Sequence, residues 1–221
     1  MLFSVLVAIM MFFVPGSLHA KVYEESSLLK STSQVSSDVL LVSVWVIKTG
    51  DNHQLPFIVL DKKGARVFVF SAQGAPLGDA PVLLGLAVGD FLPPGISNKP
   101  LSQIPPESRI TQAGRFYARI GKDSNRKEVL WIDYDSALAI HPVVTGNVEQ
   151  HRLERLHSPT ISDNRISWGC INVLPDFYFN VISSAFARNG FVYILPETMS
   201  ASDFFGIGKG KPLHAEWKLS Q

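Results

Sequence analysis

Short apolar stretches that end at turn residues are the feature that most restricts how this chain can fold. Phe57–Leu60 and Ala65–Phe70 are rich in β-branched and aromatic residues, and the intervening Asp61-Lys62-Lys63-Gly64 favours a turn between two strands. Similar stretches recur at 81–87, 116–120, 128–134, 137–141 and 191–195. The 14 prolines and 16 glycines also favour frequent turns. Residues 89–106 and 151–167 lack the pattern and are predicted to be irregular.

Two segments are candidates for helices. Leu174–Asn189 has apolar residues on one face, Pro175 near its start and Gly190 after its end, which is typical of a helix. Val39–Lys48 could form a helix that stops at Gly50, but its β-branched residues favour a strand equally. Short strands dominate, so the sequence predicts a mainly β fold, a sandwich or barrel with one or two short helices.

The sequence opens with an apolar leader that predicts export. The apolar run is too short for a membrane span of about 20 residues and suits a secretory signal. We expect a signal peptide over residues 1–20, with an uncleaved anchor as the alternative. Residues 21–37 are rich in Ser, Glu and Lys and predict a flexible stalk. The rest of the predicted organisation is one catalytic domain over residues 38–198, which is long enough to bury a single core, and a C-terminal tail over 199–221.

The charge balance excludes several classes of partner. Lys and Arg number 20, Asp and Glu number 19, and the formal net charge is +1. Nothing in this balance points to nucleic acid, and no basic amphipathic helix points to a lipid surface. We therefore expect an exported monomer of the periplasm or cell envelope, with no stable membrane span once the signal is removed.

Cys170 is the only cysteine in the chain. In an oxidising compartment a lone thiol cannot form an internal disulfide, so it pairs between chains or does chemistry. An inert buried thiol is the alternative, because free cysteines are often buried. The exported context favours a nucleophile.

A cysteine attacks as the thiolate and needs a base to become reactive near neutral pH. The candidate bases upstream of Cys170 are His141, His151 and His157. His141 ends an apolar strand and precedes Pro142, which restricts its backbone to an extended form. Rigid placement favours His141 as the base, because proton transfer requires hydrogen-bond reach. His157 is the alternative base.

The residues around Cys170 suit attack on a carbonyl group. Gly169 allows a tight turn that brings the backbone N–H groups of Gly169 and Cys170 toward a tetrahedral oxyanion. Trp168 could add a further N–H and form a wall of the cleft. Ser167 and Asn172 could hold the shape of the loop through hydrogen bonds.

Ser167-Trp168-Gly169-Cys170-Ile171-Asn172 resembles the Ser/Thr-His-Gly-Cys-apolar-Asn signature of the YkuD-type L,D-transpeptidase catalytic domain. Upstream segments are similar to those of the family in the same order. They are the hairpin at 57–70, Pro81-Val82-Leu83-Leu84-Gly85, Thr111-Gln112-Ala113-Gly114-Arg115-Phe116 and Ala139-Ile140-His141. The resemblance covers residues 54–197 and implies a mainly β transpeptidase-like fold.

The resemblance also implies a function. Enzymes of this family act on peptidoglycan stem peptides outside the cytoplasmic membrane, through a cysteine thioester and without a cofactor. By matching, Cys170 is the nucleophile, His141 the general base, and Gly169 with Cys170 the oxyanion-binding backbone. Peptidoglycan stems are then the expected partner.

Two departures from the family pattern stand out. Trp168 occupies the place where the signature has a histidine, which removes a positive group beside the thiolate. His141 lies further from Cys170 than the family's usual interval, and His157 lies slightly nearer. A polar insertion over 151–164 explains the longer interval for His141.

The chain also contains candidate residues for binding a substrate carboxylate or a metal ion. Arg155 and Arg165, with Arg152, could bind substrate carboxylates through their two-pronged guanidinium groups, or could form a solvated loop face. A His/Cys zinc site could be drawn from His141, His157 and Cys170, but the short paired ligand spacings of zinc sites are absent, so we expect no metal site.

Three functions share these residues. The first is a transpeptidase that forms peptide links in peptidoglycan. The second keeps the same acyl-enzyme but transfers the acyl group to water, as a carboxypeptidase or amidase. The third is a non-catalytic wall-binding module in which Trp168 marks a retired site.

Overall fold

The protein is described here by a computed structural model that covers residues 35–209. The predicted signal peptide over 1–20, nearly all of the predicted stalk, and residues 210–221 lie outside the described residues. The described part is mainly β, which confirms the predicted fold class.

Ten strands form two sheets. In chain order they are β1 Phe57–Asp61, β2 Arg66–Phe70, β3 Pro76–Pro81, β4 Leu84–Gly85, β5 Gly114–Lys122, β6 Glu128–Asp133, β7 Leu138–Pro142, β8 Arg165–Ser167, β9 Ile171–Val173 and β10 Gly190–Ile194. Eight of them make one sheet in the order β3-β2-β1-β10-β5-β6-β7-β9, and β4 pairs with β8. The predicted hairpins β1–β2 and β5–β6 are both present and antiparallel.

The large sheet bends until its two edges nearly meet. Leu83 follows the edge strand β3, and Asn172 belongs to the opposite edge strand β9. Leu83 N–H donates to the Asn172 carbonyl at 2.9 Å, and Asn172 N–H donates back to Leu83 at 3.0 Å. This pair of bonds covers part of an edge that would otherwise present unpaired backbone groups.

Four α-helices occur in residues 35–209, rather than the one or two predicted. They are α1 Ser37–Thr49, α2 Arg152–His157, α3 Pro175–Phe177 and α4 Ala201–Phe205. Short 3₁₀ turns follow one another through the predicted irregular segment, at Ile96–Asn98, Leu101–Gln103 and Pro106–Ser108. The hydrogen bonds of these turns satisfy backbone groups that have no sheet partner.

Helix α1 settles the choice between helix and strand for Val39–Lys48. The Ser36 hydroxyl accepts a hydrogen bond from Val39 N–H at 3.3 Å, which caps the first turn. Gly50 ends the helix with φ 67°, a left-handed conformation that suits glycine. Val39, Val42 and Val46 are buried, so packing overrides their weak helix propensity.

The helix predicted at 174–189 forms, but with a wide central turn. Leu174 precedes α3, and Tyr178–Ser183 continues the chain as a π-helical segment. Tyr178, Ile182 and Phe186 are fully buried and join the core cluster of the sheet. Their burial holds this segment against one face of the sheet.

The opposite face of the sheet carries aromatic side chains that pack under α1 and α4. Trp45 of α1 lies edge-on to Tyr193 at 6.2 Å and tilted against Phe205 at 6.2 Å between ring centroids. Phe204 and Phe205 are buried. The first part of the predicted tail is therefore packed against the domain.

Two local predictions were wrong. The stretch 81–87 is not one strand, because β3 ends at Pro81, Leu84–Gly85 pairs with β8, and Leu83 and Ala87 form only isolated bridges with other segments. The segment 151–167 is not a plain loop, because it contains α2 and β8. Within residues 35–209, no helix combines the length and apolarity that crossing a membrane requires.

Candidate active site

His141 lies near the end of β7, where it pairs with Asn172 of the parallel strand β9. Paired residues of adjacent strands point to the same face, so the two side chains meet. His141 Nδ1 lies 2.9 Å from the carbonyl oxygen of Pro142, and Nε2 lies 3.3 Å from Nδ2 of Asn172. A carbonyl oxygen only accepts, so Nδ1 carries the proton and Nε2 presents its lone pair.

Cys170 immediately precedes β9 and is half-buried. Its thiol donates a hydrogen bond to the carbonyl oxygen of Ala137, just before β7, at 3.2 Å. Cys170 and His141 line the same cleft. In the described part of the structure, the sulfur of Cys170 and the imidazole of His141 are not hydrogen-bonded to each other.

Burial favours the neutral forms of both groups. It raises the pKa of the Cys170 thiol, while backbone hydrogen bonding and the positive charge of Arg152 act in the opposite direction. Burial lowers the pKa of His141, and the hydrogen bond to the Pro142 carbonyl opposes this effect. A neutral imidazole with an open lone pair is the form that can take a proton from a thiol.

The turn before Cys170 depends on Gly169. Its φ of +133° is unfavourable for other residues, and an added Cβ would lie 2.9 Å from the carbonyl oxygen of Ile110. Ser167 supports the turn from inside, since its hydroxyl donates to the Cys170 carbonyl at 2.6 Å and accepts from Gly169 N–H at 3.1 Å. The Gly169 N–H therefore points to Ser167 rather than into the cleft, unlike the predicted oxyanion donor. The positive φ turns that N–H inward.

Thr111 holds the other side of the same turn. Its hydroxyl donates to the Gly169 carbonyl at 2.7 Å and accepts from Gly85 N–H at 2.8 Å. Thr111 is fully buried, so these bonds have no competition from water. The sequence reasoning placed Thr111 in a family-like segment but gave it no role.

Lys62 supports Thr111 from a fully buried position. Its ammonium group donates to the carbonyl oxygens of Gly89 at 2.6 Å and Thr111 at 3.0 Å, and to Asp90 at 2.8 Å. Burial lowers the pKa of Lys62, whereas Asp90 and Glu197 raise it. The sequence indicated only a turn here, and nothing in the local pattern distinguishes Lys62 from Lys63.

The cleft has a volume of about 340 Å³. Apolar lining comes from the segment that carries the 3₁₀ turns, namely from Leu92, Ile96, Leu101, Ile104 and Ile110. Amides and hydroxyls also line the cleft, and its cations are Lys99 and Arg152. No Asp or Glu occurs among the described residues that line it. The cleft therefore suits a ligand with an apolar part and a carboxylate.

Trp168 forms part of the cleft wall, as predicted. The guanidinium carbon of Arg109 lies 3.5 Å from the centroid of the Trp168 ring, a cation–π stack. Arg109 is also tied by a bond from Nε to the carbonyl oxygen of Ile104 at 3.2 Å. The stack fixes the ring where the family signature has a histidine.

Arg152 opens helix α2 and reaches the cleft from the insertion. Its Nη1 donates to Oδ1 of Asn172 at 2.6 Å, and its Nε donates to Oε1 of Gln150 at 2.6 Å. Asn172 thus bonds both to Arg152 and to His141, beyond the predicted role of loop support. The sequence grouped Arg152 with other arginines but did not single it out.

Three other predicted residues lie outside the cleft lining. His157 is exposed, and its Nδ1 bonds to the carbonyl oxygen of Leu153 at 2.8 Å. Arg155 donates to the carbonyl oxygens of Gln150 and Asp163, both at 3.0 Å, and so braces the insertion.

Arg165 is the third, and it is mostly buried in an ion pair with Glu197. It also donates to the Lys62 carbonyl oxygen at 3.1 Å, which joins it to the buried network under the turn. The structure therefore does not bring Arg155 or Arg165 to a position where a substrate carboxylate could reach them.

The residues from which a zinc site could be drawn are not brought together. His141 and Cys170 share the cleft, but His157 lies outside it. Within residues 35–209, no three His, Cys, Asp or Glu side chains are grouped so that they could hold a metal ion.

No family model matches the chain, and no curated protein matches it in sequence. Among solved structures it is similar to the L,D-transpeptidase (Yku) from Stackebrandtia nassauensis, with 15% identity, a TM-score of 0.39, and coverage of 64% of this chain and 56% of that one. It is also similar to the LD transpeptidase LdtMt1 in complex with imipenem, with 18% identity, a TM-score of 0.36, and coverage of 63% and 58%.

The match to these two structures extends over little more than half of each of them. Both are L,D-transpeptidases, the family that the Ser167–Asn172 signature resembles.

Proposed function

We propose that this chain is an exported cysteine acyltransferase, an L,D-transpeptidase that acts on peptidoglycan stem peptides. One observation carries the proposal. Cys170 and His141 line one cleft from neighbouring strands, and the bond from Nδ1 to Pro142 leaves the Nε2 lone pair of His141 as the only basic site on the ring. A thiol and an imidazole base in one cleft are the minimum for nucleophilic acyl transfer.

The first half-reaction forms a thioester. The thiol turns away from Ala137, Asn172 releases Nε2, and the S–H proton moves to Nε2 as sulfur attacks the peptide carbonyl carbon. The tetrahedral oxyanion that forms is a target for backbone donors, and the N–H groups of Cys170 and Trp168 are the proposed ones. Collapse expels the terminal amino acid, whose amine takes the proton from Nε2.

The second half-reaction transfers the acyl group. An acceptor amine gives a proton to Nε2 and attacks the thioester carbonyl, and the departing sulfur of Cys170 recovers that proton. Every proton thus passes through one nitrogen of His141. Water in place of the amine would give the carboxypeptidase or amidase reaction with the same residues.

The charge of the cleft supports a substrate rich in carboxylates. The cations Lys99 and Arg152 line it, and no acidic side chain among the described residues does so. Guanidinium and ammonium groups bind carboxylates well in a partly desolvated cleft. Stem peptides carry such groups, and the apolar leader would deliver the enzyme to them.

One observation favours the non-catalytic wall-binding module as a second candidate. The thiol is bonded to Ala137 and Nε2 is covered by Asn172, so sulfur and base are not joined in this state. A catalytically inactive site would keep these two hydrogen bonds permanently. An active site would break both of them whenever substrate binds.

Acylation separates these candidates. The chain is incubated with a carbapenem and with purified tetrapeptide muropeptides, and both protein and products are analysed by mass spectrometry. We expect a covalent adduct on Cys170, loss of the terminal amino acid and a cross-linked product, and none of these with Cys170→Ala. His157→Ala serves as the control and should behave as wild type.

The products define the acceptor. Shortened peptides without cross-links would indicate the hydrolase, and an unreacted wild-type thiol with bound muropeptide would indicate the binding module. Normal turnover by Cys170→Ala would refute the nucleophile assignment.

A further inference from the structure

Arg152 carries a buried charge with no acidic partner. It is half-buried on the cleft wall, and its hydrogen bonds go to the neutral oxygens of Gln150 and Asn172. Among residues 35–209 no Asp or Glu forms an ion pair with it. A partly desolvated guanidinium without a counter-ion favours any negative charge that develops beside it.

The bond from Arg152 decides which way the Asn172 amide points. A guanidinium only donates, so the atom of Asn172 at 2.6 Å must be the carbonyl oxygen. The amide nitrogen then faces His141 Nε2 at 3.3 Å and donates to it. A donor at that place excludes a proton on Nε2, so the imidazole keeps its proton on Nδ1.

The same guanidinium acts on the sulfur. Arg152 and Cys170 interact electrostatically, and the positive charge favours the thiolate. The position where the family signature has a histidine is occupied here by Trp168, an uncharged ring stacked on Arg109. A cation from the insertion thus lines the same cleft as the sulfur, whereas the residue that precedes the Gly-Cys pair is uncharged.

We infer that Arg152 is a positioning residue of this site: through Asn172 it holds His141 in the tautomer with a bare Nε2, and its guanidinium is the positive charge that favours the Cys170 thiolate. The inference rests on the proposed function only in treating Cys170 as the reactive group. It does not depend on which peptide is the substrate.

Other charged groups also face these two residues and have to be considered. Asp123 raises and Lys127 lowers the pKa of His141, both less than Arg152 does. For Cys170, Arg152 is the charged side chain that contributes, and the remaining contributions come from burial and backbone. Among charged side chains, Arg152 should therefore have the largest effect on the titration of the thiol.

The test is the pH dependence of Cys170 alkylation by iodoacetamide in the full chain. The reagent reports on one site, because Cys170 is the only cysteine. We expect Arg152→Gln to raise the midpoint of the rate–pH profile by about one unit, the lower end of the shift that a nearby opposite charge produces. Arg155→Gln removes an equal charge from the same helix, outside the cleft, and should leave the midpoint unchanged.

A second readout follows the imidazole. NMR chemical shifts of His141 distinguish the two tautomers, and we expect Arg152→Gln to add the Nε2–H form. Arg152→Lys keeps the charge but not the planar fork, so it should keep the wild-type midpoint while losing tautomer purity.

An unchanged midpoint in Arg152→Gln, or the same rise in Arg155→Gln, would overturn the inference. If Arg152→Gln does not fold, an unchanged tautomer in Arg152→Lys overturns the positioning role instead. Neither measurement needs peptidoglycan turnover, so failure of the proposed function would show separately, as absent acylation with a normal alkylation profile.

Discussion

Asn172 and His141 lie opposite each other in the parallel pair of β9 and β7, with the Asn172 amide nitrogen 3.3 Å from Nε2 of the imidazole. The register that brings His141 to the cleft thereby also supplies the amide that covers its Nε2 atom. In the proposed reaction, proton transfer from Cys170 requires that this contact open. The reactivity of the site should consequently depend on whether the side chain of residue 172 donates a hydrogen bond to Nε2 or accepts one from it.

Asn172→Asp should reverse the proton arrangement of His141. A carboxylate accepts where the amide donated, so it draws a proton onto Nε2 and raises the pKa of His141. We expect the rate of carbapenem acylation at neutral pH to fall roughly 10²-fold, the usual contribution of a general base. Mass-spectrometric time courses measure the rate, and an NMR titration measures the pKa.

The matched control is Asn147→Asp, which also lines the cleft. Its side-chain oxygen accepts from Glu149 N–H at 3.1 Å, a bond that aspartate keeps. This variant should acylate like wild type. Equal rates for wild type and Asn172→Asp would contradict the role given to the His141–Asn172 contact.

The partly buried imidazole of His141 should make folding stability depend on pH. Burial lowers the pKa of His141 below its ordinary value of about 6.5, so between the two values the unfolded chain binds more protons than the folded one. Stability from this residue is therefore complete above about pH 6.5 and decreases as pH falls through that value.

Urea unfolding at neutral and mildly acidic pH measures the effect. His141→Gln cannot titrate and should lose less stability on acidification than wild type does. His157→Gln changes an exposed residue and should show the wild-type pH dependence. An acid loss that is identical in wild type and His141→Gln would show that other groups cause it.

Gly169→Ala tests the turn before the nucleophile. With φ at +133° and a Cβ 2.9 Å from the Ile110 carbonyl oxygen, alanine is strained and has no space. We expect a loss of about 1–3 kcal/mol in the free energy of unfolding and slower acylation, because the sulfur follows the turn. Gly146→Ala is the control, since nothing lies within 4 Å of a Cβ added there. A stable and fully reactive Gly169→Ala would show that the turn tolerates a side chain.

Local patterns were sufficient for the strands β1, β2, β5, β6, β7 and β10 and for singling out Cys170 and His141. β1 and β2 are runs of β-branched and aromatic residues around a Gly-containing turn, and a pattern of that kind depends only on neighbours in sequence. Cys170 was singled out because it is alone, and His141 because it ends an apolar strand. Both line the cleft in the structure.

Local patterns could not show which of several similar residues faces the site. Arg152, Arg155 and Arg165 lie in one polar segment, and only the start of α2 and its distance from Asn172 select Arg152. The pairing of β7 with β9 joins segments separated by the whole insertion, so the contact between His141 and Asn172 has no local signal. Long-range packing decided these features.

Adjacent lysines at 62 and 63 provide the sharpest test of such packing. Lys62 is 0% exposed and binds Asp90 and the Thr111 carbonyl, whereas Lys63 is 51% exposed and faces Asp38 at 3.6 Å. Lys62→Met leaves the buried Asp90 carboxylate without its ion-pair partner and should cost about 3–5 kcal/mol of unfolding free energy. Lys63→Met removes an exposed pair, and its unfolding free energy should stay within about 0.5 kcal/mol of wild type.

Because Thr111 holds Gly169, Lys62→Met should also slow acylation of Cys170 at a denaturant concentration where the variant is still folded. Equal unfolding free energies for the two variants would refute the supporting role of Lys62.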